Sequence, residues 1–164
     1  MPRLLACALA LLAASAAAIE PGAPLWRELG AGFGQQRADL VLPGQPLERQ
    51  FRELLSGPPE APVQLPGGLL LEAGCRLHSC DEKAAVISAG AGGRVLGIAA
   101  RHFRCHAGSR GQTQCERAPT LSIWIVRHGR AAGREPEVTE ALRAWGRAAG
   151  YRSEETRFVR SAVD

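Results

Sequence analysis

The sequence predicts an α+β domain, a central antiparallel sheet flanked by helices. Three observations carry that reading. An amphipathic helical pattern ends at Gly57-Pro58-Pro59, a succession of short apolar runs separated by glycine-rich and polar turns follows it, and a second helical pattern lies near the C-terminus. Helix, then strands, then helix is the order expected of a sheet with helices packed against it.

The elements follow in chain order. Residues 1–18 read as a secretory signal: Arg3 is basic, residues 4–14 are apolar but too short to span a bilayer, and Ala16-Ala17-Ala18 offers a small-residue cleavage site. Cys7 would leave with it. Residues 19–164 are then a single domain, periplasmic or secreted, long enough to bury a substantial core. Residues 19–45 are rich in Pro and Gly. Trp26, Leu29 and Phe33 could share one helical face there, although Gly30, Gly32 and Gly34 weaken it. Leu47, Phe51, Leu54 and Leu55 fall at i, i+4, i+7 and i+8, which is the face of a helix.

Residues 62–68 read as a connection, and Leu69-Leu70-Leu71 as a strand leading to Cys75. Residues 83–89 and 94–101 form a hairpin around Gly90-Ala91-Gly92-Gly93. Residues 102–119 are a polar excursion. Residues 121–126 (Leu-Ser-Ile-Trp-Ile-Val) are the clearest strand, apolar enough for both sheet faces to be covered. Pro136 suits a helix's first turn; Val138, Ala141, Leu142, Trp145 and Ala149 give that helix an apolar face, and Gly150 ends it. The charged tail from Tyr151 is expected to fray.

Charge narrows the partners. The chain has 20 bases and 16 acids, a formal net charge of +4, or +3 without Arg3. Both signs are interspersed, which describes a solvated surface and not a nucleic-acid-binding stripe. No other run is long and apolar enough to cross a membrane. Cys75, Cys80, Cys105 and Cys115 remain after the signal, and an even count in an exported chain reads as disulfides. Three pairings are possible. The local one, Cys75–Cys80 with Cys105–Cys115, asks least of the fold. Its rings of six and eleven residues would contribute about 2 and about 3 kcal/mol on the loop-entropy model.

Among chemical constellations, His102, Cys105, His106 and Cys115 are ligand types suited to zinc, but their spacing fits no standard finger and an oxidising compartment favours a disulfide. No metal or cofactor is expected. Residues 90–93 precede a strand and lack Gly-Lys-Ser/Thr, so they form no phosphate loop. No Gly-x-Ser-x-Gly elbow is present, and the chain is not expected to be an enzyme. His128 reads as an ordinary surface histidine.

The most distinctive segment is Cys75-Arg76-Leu77-His78-Ser79-Cys80. A six-residue cysteine ring is too small to turn inward as core, so its contents should project into solvent at the end of a strand. His78 would be a held, exposed imidazole able to donate two hydrogen bonds when protonated. This segment resembles the signature loop of the Ivy family, the inhibitors of vertebrate lysozyme, which reads Cys-Lys-Pro-His-Asp-Cys. Both cysteines, a basic second position and the histidine are kept; Leu77 stands in place of proline and Ser79 in place of aspartate. The resemblance extends over about residues 47–126, including the Phe51 helix, Gly57 and its prolines, and the Val86 strand.

The resemblance implies an Ivy-like sandwich and a proteinaceous inhibitor of C-type lysozyme. In that family the loop enters the active-site cleft and its histidine hydrogen-bonds the two catalytic carboxylates. On this chain His78 would be the plug, Cys75–Cys80 would preorganise the loop, Arg76 could reach an acceptor at the rim, and Leu77 and Ser79 would complete the contact. Homodimers also occur in the family. The loss of the loop aspartate removes an acceptor that could orient the imidazole, and the loss of proline leaves the free ring less stiff. A net positive chain gains no long-range attraction to a basic lysozyme, which makes a lytic transglycosylase of the organism's own the second candidate partner. An interaction module of the same fold without lysozyme inhibition is the third reading.

Overall fold

The computed structural model describes residues 24–34, 36–107, 112–127 and 133–160. The expected signal segment, and His128, lie outside them. The chain forms a six-stranded sheet with helices on both faces, as the α+β reading requires.

Pro24 sits at the start of α1 (Pro24–Phe33), where its missing N–H costs nothing. Leu25, Trp26, Leu29, Gly32 and Phe33 are buried along one side of that helix, so the apolar stripe prevails over its glycines. Two short strands, β1 (Arg37–Ala38) and β2 (Gln45–Pro46), pair antiparallel and lead into α2 (Leu47–Leu54). Leu47, Phe51 and Leu54 of α2 are fully buried, as their spacing predicts. So is Gln50, which the apolar pattern passes over. Its Oε1 accepts from the amides of Val41 and Leu42 at 3.0 and 2.9 Å and from Leu40 at 3.3 Å, and its Nε2 donates to the carbonyls of Ala38 and Gln45. One amide side chain thereby satisfies most of the turn between β1 and β2, which has few backbone partners of its own.

The main sheet comprises β3 (Val63–Leu65), β4 (Leu69–Arg76), β5 (Ser79–Ser88), β6 (Val95–His102), β9 (Thr120–Arg127) and β10 (Ser153–Arg160). Their order across the sheet is β10-β9-β6-β5-β4-β3. Between β6 and β9 the polar excursion folds as a small ribbon, β7 (Cys105–Ala107) with β8 (Thr113–Cys115). The disulfides are the local pairs, Cys75–Cys80 and Cys105–Cys115.

The β5–β6 hairpin matches the expected one, with Ala89 N–H donating to Arg94 O at 3.0 Å across its turn. β9 is buried from Thr120 to Val126, as its composition predicts. Two expectations need correction. Residues 153–160 do not fray: they form β10, an edge strand parallel to β9, reached through α3 (Glu135–Ala149). The sheet is therefore antiparallel except for this last pair. The tail's charges conceal it, because the polar groups of an edge strand hold one another: Glu154 accepts from Arg143 at 2.7 Å and from Tyr151 at 3.0 Å. Residues 62–68 are also more ordered than a plain connection, since Val63–Leu65 pairs with β4.

The core lies in two layers. On one face α1 and α2 cover Val86, Ile98, Ala100, Trp124 and Val126, with Phe51 edge-on to Trp124 at 6.1 Å between ring centres. On the other, Val138 and Leu142 of α3 cover Leu71, Ile87, Ala99, Ile123 and Ile125. Burying side chains of this size stabilises the fold by about 1.5–3 kcal/mol each before conformational entropy is subtracted.

Candidate functional site

The Cys75–Cys80 ring is the tip of the β4–β5 hairpin. Arg76 pairs with Ser79 in register, leaving Leu77 and His78 as its two-residue turn. Two-residue loops are the tightest way to join antiparallel strands. A register shift between Cys75 and Arg76 lets the ring fit the ladder. Cys75 is buried at the foot of the ring, Cys80 is exposed, Ser79 is half-buried, and Leu77 and His78 stand in solvent, with Leu77 52% exposed. The projection expected of so small a ring is what the hairpin produces.

His78 has φ +65°, the only positive φ of a non-glycine residue among those described. Left-handed backbone costs an L-residue roughly 1–2 kcal/mol, and turn residues holding it are often functional. An imidazole at this corner is presented outward by the backbone itself.

The foot of the hairpin is braced by the chain that leaves α2. Gly57 N–H donates to Cys75 O at 2.8 Å, Leu77 N–H donates to Ser56 Oγ at 3.1 Å, and Glu60 N–H donates to Ala73 O at 2.8 Å. Glycine is needed at position 57. A Cβ there would lie 2.7 Å from Cys75 O and 3.0 Å from Leu77 N.

Arg76 does not point freely outward. Its Nε donates to Glu53 of α2 and its Nη1 to Glu82 of β5, both at 2.8 Å. These hydrogen bonds, Glu82's first, raise the guanidinium pKa above its ordinary value. Arg76 is therefore a clamp between helix and hairpin. Further along β5, Lys83 donates to Glu60 at 2.8 Å. Arg101 donates to Asp81 O and to Gly150 O, tying the hairpin to the end of α3.

The second disulfide links Cys105 and Cys115, cross-strand partners at the base of the β7–β8 ribbon, which leaves the sheet at the same end as the His78 hairpin. The four residues considered for zinc are thus divided. Cys105 and Cys115 are bonded to each other, and His102 is buried with its Nε2 2.9 Å from Ser122 Oγ. The side chain of His106 is outside the described set. Among the described residues no group of three or more His, Cys, Asp or Glu side chains is placed to hold a metal ion, and no helix is long and apolar enough to cross a membrane.

Sequence reasoning located the ring and its histidine but missed the brace. Glu53, Ser56 and Glu82 belong to other elements, and nothing in the spacing of residues 75–80 points to them. The Gly57-Pro58-Pro59 break was the available signal, because a glycine shortly after a helix allows another backbone to approach closely. No family model, no curated protein and no solved structure matches the chain.

Proposed function

We propose that this protein is a periplasmic inhibitor of C-type lysozyme that inserts the Cys75–Cys80 hairpin into the enzyme's active-site cleft, with His78 as the plug. The observation that supports it best is the pairing of a two-residue, disulfide-closed tip with a hydrogen-bonded foot. Leu77 and His78 stand exposed at the tip, while Glu53, Ser56 and Gly57 fix what lies beneath them. A preorganised loop loses little freedom on binding, so more of its contact energy appears as affinity.

The chemistry suits such a target. Lysozyme-type hydrolysis needs one protonated and one ionised carboxyl flanking the glycosidic bond. An imidazole between them occupies the sugar's place and hydrogen-bonds groups whose proton balance catalysis depends on. Leu77 supplies apolar contact beside it, and Ser79 a neutral hydroxyl at the neck of the loop. Arg76 acts in this reading by holding the hairpin upright.

The net positive charge and the substitutions at Leu77 and Ser79 favour, as the second reading, a lytic transglycosylase whose cleft follows the same logic. The test is a cell-wall lysis assay with oxidised protein titrated against a C-type lysozyme and, separately, a lytic transglycosylase, with His78→Ala in parallel. Inhibition of lysozyme that the substitution abolishes supports the first reading. Inhibition confined to the transglycosylase supports the second. No inhibition of either enzyme sinks both and leaves an interaction module of this fold.

A further inference from the structure

On the face covered by α1 and α2, the sheet carries a cleft of about 430 Å³ beyond the helices, within the range of small-molecule sites. His102, Ser122 and Trp124 line it from the sheet; Arg37 of β1 and Asp39 just after it approach from one side, Arg104 and Glu116 flank the β7–β8 ribbon, and Glu155 and Arg157 come from β10. We propose that this cleft binds a small hydroxylated acid, a sugar bearing a carboxylate or a phosphate, with the oxyanion on the arginines and a hydroxyl reaching His102.

Two independent observations point to a ligand. The first lies at the floor. His102 is 2% exposed, its Nε2 is engaged with Ser122 Oγ, and its Nδ1 is buried and completes no well-formed hydrogen bond among the described residues, although the Phe103 backbone lies near enough to favour a proton on the ring. Buried polar atoms nearly always have a partner, so an unpaired nitrogen on a residue at the cleft floor is a place that a small turn of the ring would open to a ligand's polar atom. A neutral imidazole engaged at one nitrogen offers the other as a single donor or acceptor, and a hydroxyl can answer either.

The second observation is the wall. Arg104 and Arg157 both donate to Glu155, one to each of its oxygens. Two guanidiniums thus share one carboxylate, leaving this trio with one surplus positive charge and several unspent N–H donors, while the cleft as a whole sets three arginines against Asp39, Glu116 and Glu155. Arg37 spends a donor on a neutral acceptor, Gly44 O at 2.6 Å. Planar guanidiniums are suited to bidentate recognition of carboxylate and phosphate. Asp39 accepts the Gly44 amide at 2.6 Å and is exposed, as is Glu116. These carboxylates can accept from the hydroxyls of a sugar, so a ligand that carries hydroxyls as well as an oxyanion answers both sets of charges. This inference is independent of the His78 loop and stands whether or not the protein inhibits an enzyme.

The test is NMR of the ring nitrogens of the full oxidised protein, titrated with glucuronate, glucose 6-phosphate and, as a neutral control, glucose. The expected result is a saturable shift of the His102 resonances with glucuronate or glucose 6-phosphate, little response to glucose, and at least a tenfold weaker response in Arg157→Gln. Arg157 is exposed, so that variant should fold, and its NMR spectrum reports whether it does. A response to only one of the two acids identifies the headgroup. No saturable shift at His102 with either acid, an equal response to glucose, or unchanged affinity in folded Arg157→Gln would overturn the proposal.

Discussion

Arg76 Nη1 donates to Glu82 at 2.8 Å, spanning the foot of the Cys75–Cys80 hairpin, while the same guanidinium reaches Glu53 of α2. The Glu82 side chain is only 11% exposed, so it depends on that partner. Arg76→Gln should cost about 1–3 kcal/mol, the range for leaving a buried charged acceptor poorly satisfied. It should also weaken partner binding, because the foot loosens. Chemical denaturation alongside the inhibition assay checks this. A variant of full stability with lost inhibition would instead make Arg76 a direct contact.

His78 behaves differently because it is exposed and its backbone is left-handed. His78→Ala should remove inhibition with little change in stability. His78→Gly should also remove it, yet leave the fold about 0.5–1 kcal/mol more stable, since glycine adopts φ +65° without steric cost. Melting curves and dose–response curves of both variants suffice. Retained inhibition in either would discard the plug.

Gly57→Ala tests the brace from the other side. Its new Cβ would press on Cys75 O and Leu77 N, which are backbone atoms that can yield only by moving the hairpin. A destabilisation of about 1–3 kcal/mol is expected, with a measurable loss of affinity. Unchanged hydrogen-exchange protection at Cys75 and Leu77 would show that the contact is not rigid.

The sequence made the sheet and the ring legible for physical reasons that can be named. Residues 121–126 are apolar on both faces because α1 and α2 lie on one side and α3 on the other. The ring was legible because four residues between two cysteines leave few conformations. β10 was not, since its Glu and Arg residues are satisfied by α3 and by one another and leave no alternating apolar pattern. Gln50 was hidden for the opposite reason: a polar residue on an apolar helix face looks like an interruption until its backbone partners are known. The cleft was invisible because His102, Ser122 and Arg157 meet only when β6, β9 and β10 lie side by side.

His102 gives the molecule an acid-sensitive point. Burial is the main cause of its pKa lying below the ordinary 6.5; the backbone at Phe103 opposes this, and Arg104 reinforces it. In the unfolded chain the imidazole regains its ordinary affinity for a proton. Below about pH 6.5 the unfolded state therefore binds a proton that the folded state resists, and folding stability falls with pH. The contribution is present in full above the unfolded value and is lost as pH drops through the lower folded one. Urea denaturation between pH 7.5 and 5 should show this decline, and His102→Asn, which can still hydrogen-bond Ser122 but takes up no proton, should flatten it. An identical pH slope in the variant would assign the decline to the carboxylates of the ion pairs instead.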